Sequence, residues 1–529
     1  MNTSALTLNY YKNRRHIMNE ANIPVLIGCG QSTDRRPPEL GSTPIELMAD
    51  VARKAAVDAG PGDALLQAID AIVVAGLTVD SGETGSLSAG MIRNVPQAVC
   101  NALNIDPADK TYTRTGGNTP QMAVNRYAEK ISQGDASAVL LVGAEALSTM
   151  IGRLKKGLDM DAWTDQSGVD PSMLGEPRAA ANDHEMIYNI QTPSVTYPMF
   201  ENALRGKYGL SLDDHRKKMG DLYQRFNAVA AKNPLSWFPT ARNSEEITTA
   251  SDSNRYVGFP YTKYLNSVIQ VNMGAAVILT SLAKARELGV NDDRMVFLHG
   301  CGDANDIWNV SERVNYHSSP AVRRIGKEAF TMAGKTIDDM DYLDIYSCFP
   351  SAVQIACDEL GIAHDDARGL TITGGLPYFG GPGNNYVMHS IATMMDVLRS
   401  NPGKFGMLNA NGWFITKHSI GIYSTTPIEG DWQRKQPADY QQAILDDTHP
   451  PFTESPDGQG TIETYTVLHG RKGVERALVI GLLDDGTRFI AETPDDEKTL
   501  QQMMDREMLG MSGTVTTGEQ KNLFVPLFN

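Results

Sequence analysis

The feature that most narrows what this chain can become is that it repeats itself. Val25-Leu-Ile-Gly-Cys-Gly-Gln-Ser-Thr-Asp34 resembles Val296-Phe-Leu-His-Gly-Cys-Gly-Asp-Ala-Asn305. Each copy precedes a helix-like stretch that starts near a proline (Pro44, Pro320) and ends in Ala-Gly (Ala59-Gly60, Ala333-Gly334). Asp70-Ala-Ile-Val-Val then parallels Asp341-Tyr-Leu-Asp-Ile. Further on, Pro96-Gln-Ala-Val precedes Cys100 and Leu103, as Pro350-Ser-Ala-Val precedes Cys357 and Leu360. Ordered matches at a similar offset read as duplication rather than chance likeness between two α/β segments. A chain of 529 residues also exceeds what one hydrophobic core usually supports.

The first half is organised around residues 113–145. A β-rich run ends in Gly116-Gly117-Asn118, Thr119 can cap a helix with Pro120 at its first position, and Gly134 can stop it. Ala123, Val124, Tyr127, Ala128 and Ile131 share one helical face, and the apolar run 138–142 suits a strand covered on both sides. The pattern predicts a βαβ unit whose helix N-terminus points into a site. Its free amides and partial positive charge suit a thioester carbonyl that becomes an oxyanion.

This arrangement resembles the thiolase superfamily, whose acyl-accepting cysteine sits on the same turn, before a helix that ends in a Gly-Asp-Ala-like turn and an apolar strand. The resemblance covers about residues 23–427. It implies two βαβαβ halves layered α/β/α/β/α. Residues 150–259 interrupt the pattern where the family's loop domain holds coenzyme A, and Arg216 and Lys217, with His215, Lys218 and Arg225, are the phosphate partners the resemblance suggests. A solvated helix face explains that charge run as well. The chain rejoins the pattern at Met273-Gly274-Ala275-Ala276, where the family usually shows Asp-Gly-Ala.

The family's reactive side chains are missing. Its nucleophilic cysteine falls on Gly117 or Asn118. Its Gly-His-Pro loop resembles Gly380-Gly381-Pro382, with the histidine replaced, and its Cys-x-Gly loop resembles Ala410-Asn411-Gly412, with the cysteine replaced. The His-Asp-Cys-Phe loop corresponds to Tyr346-Ser347-Cys348-Phe349. Gly381, Ala410 and the Gly117 or Asn118 position offer no nucleophile and no general base near neutrality. Loops rich in Gly and Asn keep backbone amides close as donors, so Gly117, Asn118, Thr119, Gly380, Gly381, Asn384, Asn411 and Gly412 are candidates to hold a thioester, although turn chemistry alone accounts for the same residue types.

The duplication sorts the five cysteines. Cys29 and Cys301 fall in strands and Cys100 and Cys357 in helices, as small core residues. Cys348, just past the strand 342–346, has no counterpart. It is the candidate replacement nucleophile, with His389 or His418 as its base; a packed thiol and a hydrogen-bonded core histidine are the plainer readings. No Cys-x-x-Cys or histidine cluster has metal-ligand spacing, so no metal is expected.

Beyond Pro427 the character changes. Strand-like runs at 461–468, 477–483, 488–493, 512–517 and 523–525, with a helical 497–508, suggest a small OB-type β-barrel. The expected organisation is a tail 1–18, a first half 19–290 that includes the insertion, a second half 291–430 and the barrel 431–529. Sixty-three acidic against 47 basic residues give a net charge of −16, which disfavours nucleic acid as a partner. No apolar run approaches the roughly 20 residues of a membrane span, and the basic residues Lys12, Arg14 and Arg15 follow the few apolar ones, the reverse of a secretory signal. A cytoplasmic protein is expected.

The functional expectation is a protein similar to acetyl-CoA acetyltransferases of acyl and lipid metabolism that binds coenzyme A or an acyl-CoA with weak or no thiolase activity and needs no further cofactor. Two alternatives stand beside it: acyl transfer through Cys348, and a non-catalytic subunit that presents its C-terminal domain to a partner. The family implies a homodimer; the extra domain leaves a monomer open.

Overall fold

The structure, a computed structural model, describes residues 19–80 and 91–528, so the expected tail lies outside the described residues. In the first half, β1 (Pro24–Thr33) leads through α1 (Pro44–Asp58), β2 (Ala71–Val74), α2 (Val95–Leu103), β3 (Asp109–Thr113) and α3 (Thr119–Gln133) to β4 (Ala138–Ala146) and a short strand β5 (Ser172–Leu174). The inserted region carries α4 (Pro193–Tyr208), α5 (Leu212–Ala230) and a hairpin of β6 (Tyr256–Gly258) and β7 (Tyr261–Thr262), before β8 (Asn272–Ser281) returns to the sheet. The second half runs β9 (Val296–Asn305), α6 (Pro320–Ala333), β10 (Tyr342–Ile345), α7 (Pro350–Leu360), α8 (Tyr386–Ser400), β11 (Phe405–Gly412) and β12 (Lys417–Ser424).

These strands form one ten-stranded sheet in the order β10-β11-β12-β9-β1-β8-β4-β2-β3-β5. Outward from the β9–β1 junction both halves repeat one plan. β1 and β9 pair antiparallel with β8 and β12, these pair antiparallel with β4 and β11, and those pair parallel with β2 and β10. A bulge recurs at the same place, Ile27 in β1 and His299 in β9. The repeated glycines explain why the motif appears twice. A Cβ on Gly28 would overlap the Ala55 carbonyl of α1 and lie 3.0 Å from Ala59 Cβ; one on Gly300 would overlap the Ala329 carbonyl of α6 and lie 3.1 Å from Ala333 Cβ. In each half a helix rests directly on strand backbone, which only glycine permits.

Helices α3 and α8 pack against each other and against β1, β8, β9 and β12, between the halves, while α1 covers the outer face of one half and α6 that of the other. The layering is thus α/β/α/β/α. Every residue of β4 and β8 is buried, as continuous apolar runs require. Gly134 ends α3 in the left-handed region (φ +80°). The start of α3 differs from expectation. Thr119 is its first residue rather than its cap, and Asn118, in the cap position, makes no capping bond; its Nδ2 donates to Ser419 Oγ (3.3 Å) because the turn packs on β12.

After β12 come β13 (Gly458–Gly470), β14 (Gly473–Leu483), β15 (Arg488–Glu492), α9 (Glu497–Asp505), β16 (Ser512–Thr516) and β17 (Leu523–Pro526). β13 pairs with both β14 and β16, β14 with β15, β15 with β17 in parallel, and β17 with β16, so the five strands close into a ring. Its sheet continues into the inserted region, where Leu468 of β13 pairs with Gly258 of β6. None of the described helices is long and apolar enough to cross a membrane.

Candidate functional site

The loops singled out in the sequence converge beside the N-terminus of α3. The Gly116 amide donates to Asn384 Oδ1 (2.8 Å), and Asn384 Nδ2 donates to the Gly76 carbonyl beyond β2 (2.7 Å). Asn385 Nδ2 donates to the Gly143 carbonyl within β4 (2.6 Å), so the loop before α8 is tied both to β4 and to the segment after β2. A Cβ on Gly117 would overlap Tyr346 Oη and lie 2.6 Å from the Asn411 carbonyl oxygen. One on Gly381 would overlap Ser267 Oγ, and the Ser267 amide donates to the Cys348 carbonyl (3.1 Å). Asn411 Nδ2 donates to Tyr197 Oη (2.9 Å) and lies 3.9 Å from Cys348 Sγ. Gly412 packs on Asn118, whose Oδ1 would stand 2.5 Å from a Cβ there. Gly117, Asn118, Asn384, Asn411, Gly412, Gly381 and Cys348 therefore share one place.

Tyr346 and Ser267 thus fill the volumes that side chains at Gly117 and Gly381 would take. Sequence reasoning quoted Tyr346 only as a replaced loop residue and did not find Ser267 or Tyr197. The pairing of a tyrosine with two unexplained glycines was the available signal for Tyr346; nothing local marks the other two.

The expected pair of Cys348 with a histidine does not form. Burial pushes the Cys348 thiol up to about 12, and hydrogen bonding with Tyr197 and Asn411 offsets this only in part. His389 faces β1 instead. Its Nδ1 lies 2.8 Å from Gln31 Oε1, its ring stands edge-on to Phe379, and burial pulls its pKa down to about 3, so it is neutral at any physiological pH. His418 turns to the start of α6, with Nε2 3.2 Å from Asp306 Oδ2 and 3.4 Å from Ser319 Oγ. Neither histidine is hydrogen-bonded to Cys348 among the described residues. At neutral pH the site holds no thiolate and no histidine base beside it.

Polar atoms remain unmatched in this place. Asn118 Oδ1, Thr119 Oγ1 and Asn411 Oδ1 are buried without a hydrogen-bond partner among the described residues, a pattern native structures keep rare. Gly380 holds a left-handed backbone (φ +122°) with Met273 Sδ 2.6 Å from where a Cβ would be. The two cations expected to hold phosphate lie elsewhere. Arg216 pairs with Asp213 (2.9 Å) and lines a cleft of about 720 Å³ between α5 and the C-terminal domain. Lys217 pairs with Asp221 (2.5 Å) and lines a second cleft of about 620 Å³ with Lys218, Arg225 and His364.

A lysine that the sequence reading passed over sits on the turn itself. Lys417, the first residue of β12, is 7 % exposed and crosses Gly412 to bring Nζ to the Thr115 carbonyl, 6.0 Å from the Trp308 ring and 5.5 Å from that of Trp413. Desolvation lowers its pKa to about 8. The β11–β12 turn that positions it is strained, with Trp413 and Ile415 at φ +54° and +55°. Buried Arg313 holds the turn by donating to the carbonyls of Phe414 (3.2 Å) and Ile415 (2.7 Å) and to Thr416 Oγ1 (2.8 Å).

Among the described residues one group has the spacing of metal ligands, Cys29, Asp58 and Asp396. Arg399 already supplies the positive charge there, with NH1 2.7 Å from Asp58 Oδ2 and 3.5 Å from Cys29 Sγ. Burial raises the Cys29 thiol.

Comparison with known proteins gives a consistent picture. Residues 439–520 match the family model "Thiolase-like protein type 1 additional C-terminal domain". The crystal structure of a monomeric SCP2-thiolase like protein type 1 from Mycobacterium smegmatis superposes with a TM-score of 0.82 at 35 % identity, over 96 % of this chain and 99 % of that one. An acetyl-CoA acetyltransferase of Methanothermobacter thermautotrophicus is 21 % identical over 317 residues, which are 59 % of this chain and 74 % of the relative. The acetyl-CoA acetyltransferase structure from Syntrophomonas wolfei shares the fold, with a TM-score of 0.53 at 16 % identity over 77 % of this chain and all of that one.

Proposed function

The chain belongs to the thiolase superfamily, among the SCP2-thiolase-like proteins of type 1, and from that premise we propose that it binds coenzyme A or an acyl-CoA without carrying out the superfamily's cysteine chemistry. The observation that carries this reading is steric. The side-chain space at Gly117 is taken by Tyr346 and that at Gly381 by Ser267, so the turn keeps its backbone donors while the positions of nucleophile and base are filled by other groups. A thiol pushed up to about 12 at Cys348 supports the same conclusion. Unmatched oxygens of Asn118, Thr119 and Asn411 are sites for ligand amides and hydroxyls, which a pantetheine arm supplies.

The protein acts as a monomer in this reading. Two things support it: β5 covers the outer edge of β3, which would otherwise offer a strand for pairing, and the Mycobacterium smegmatis relative is itself described as monomeric.

Calorimetric titration with coenzyme A and acetyl-CoA tests the binding, with saturable heat as the expected result. No heat at millimolar ligand would overturn it. Intact-mass measurement after incubation with acetyl-CoA should leave the protein unmodified, and an added acetyl group lost in Cys348→Ala would replace this reading with acyl transfer through Cys348.

A further inference from the structure

The geometry points to Lys417 and Arg114 as the docking point for a negatively charged end of the bound acyl group, which makes the ligand class a thioester of a dicarboxylic acid. This rests on the acyl-CoA reading and deepens it.

Lys417 is buried, and no carboxylate lies within ion-pair distance of its Nζ among the described residues; its partner is the Thr115 carbonyl. Arg114, on the same turn, likewise has no ion pair among the described residues, and its Nε is buried without an acceptor. The carboxylate that attracts Lys417, exposed Glu176, makes no ion pair with it and accepts from Asn305 Nδ2 (3.0 Å). A desolvated cation without a direct ion pair is costly, and a bound anion lowers that cost. The indoles of Trp308 and Trp413 flank the ammonium, which excludes water and strengthens any ion pair formed there.

Position ties this charge to the site. A Cβ on Gly116 would stand 2.6 Å from both Lys417 Nζ and Asn118 Oδ1, while the next residue, Gly117, abuts Tyr346 and Asn411. The cation and the Tyr346–Cys348 face therefore meet adjacent residues of a single turn. Arg114, Thr115 and Trp413 are partly exposed, so the rim is open to solvent. Burial and the neighbouring Arg114 charge lower the Lys417 pKa, and an anion bound there would raise it again.

Titration calorimetry of the full-length protein at pH 7 with coenzyme A, butyryl-CoA and succinyl-CoA tests this. Butyryl-CoA has the carbon number of succinyl-CoA without its carboxylate. Succinyl-CoA should bind roughly tenfold more tightly or better, the scale of a charge-assisted hydrogen bond. Lys417→Met should abolish the preference and Lys417→Arg should retain most of it, each with an unchanged circular dichroism spectrum; Arg114→Gln, which should reduce it, serves if Lys417→Met does not fold. Equal affinity for the two thioesters, or a preference that survives both substitutions, overturns this inference alone. No binding of any of the three overturns the acyl-CoA reading beneath it as well.

Discussion

Gly117 and Tyr346 divide one volume between them, and this decides what repair of the site by mutation can achieve. A Cβ at Gly117 meets the end of the tyrosine and also the Asn411 backbone carbonyl. Gly117→Cys is therefore expected to lower stability by roughly 1–3 kcal/mol through overpacking. Combining it with Tyr346→Ala should recover only part of that, because the carbonyl stays; denaturant melts of the double-mutant cycle measure the coupling, and strict additivity would show that the two residues do not share space. Glu145, the next-to-last residue of β4, gives a second residue-scale test. It accepts from the Thr78 amide and hydroxyl (both 2.6 Å), and burial raises its pKa from 4.5 to about 7. The folded state then holds this proton more tightly than the unfolded chain, so the stability it contributes is full below pH 4.5 and is lost as pH rises through about 7. Glu145→Gln mimics the protonated form. It should melt higher than wild type at pH 8, by the equivalent of roughly 2–3 kcal/mol, and like wild type at pH 5; equal melting temperatures at both pH values would refute the assignment. The sequence could show which reactive groups were missing, because absence is read position by position. It could not show what fills their places, since Tyr346 and Ser267 come from elements far along the chain and act only through packing.

At the scale of elements, the duplication was legible because it lives in short-range rules: a glycine in a strand, an alanine facing it in the next helix, an Ala-Gly stop. The structure makes the two copies testable as equivalents. Gly28→Ala and Gly300→Ala each drive a methyl into a helix carbonyl and should destabilise alike, by roughly 1–3 kcal/mol, in thermal or urea unfolding. The next glycines have diverged. Gly30→Ala would overlap the Val51 carbonyl, whereas Gly302→Ala stands 3.1 Å from the Ile325 carbonyl, so Gly302→Ala should be the milder of the two. Equal losses would mean that the closer packing in the first half carries no energy. What the sequence misread at this scale was the start of α3, where contact with β12 overrode the local capping rule and drew the Asn118 amide to Ser419. The β11–β12 turn was also opaque. Trp413 and Ile415 are not residues that announce a left-handed backbone, and the Arg313 side chain that holds them comes from another segment.

For the molecule as a whole, the C-terminal ring is less separable than its change in composition suggested. Arg488, fully buried, donates to the carbonyls of Ser311 and Arg313, the latter being the residue that pins the β11–β12 turn. Asn202 of α4 donates to the Tyr465 carbonyl (2.9 Å), and the ring's core includes Phe259 from the inserted region. The connecting segment is stitched down as well: Trp432 Nε1 donates to the Leu298 carbonyl (2.8 Å), and Arg434 bridges Glu129 of α3 (3.0 Å) and Asp303 of β9 (2.5 Å). Removing everything after residue 430 would leave Glu129 with only the half-exposed Arg126 and would strip Asp303 of its ion-pair partner among the described residues, a loss of roughly 3–5 kcal/mol for one such broken pair. Domains are stable by only about 5–15 kcal/mol, and the truncation also bares the apolar surface that the ring covers. A chain ending at residue 430 is therefore expected to aggregate or to lack a cooperative melt, while the full-length protein should give one calorimetric transition. Two resolved transitions, or a soluble truncated protein melting within a few degrees of the parent, would show that the ring is an independent unit and that its contacts with α4, α3 and the β11–β12 turn do not hold the site together.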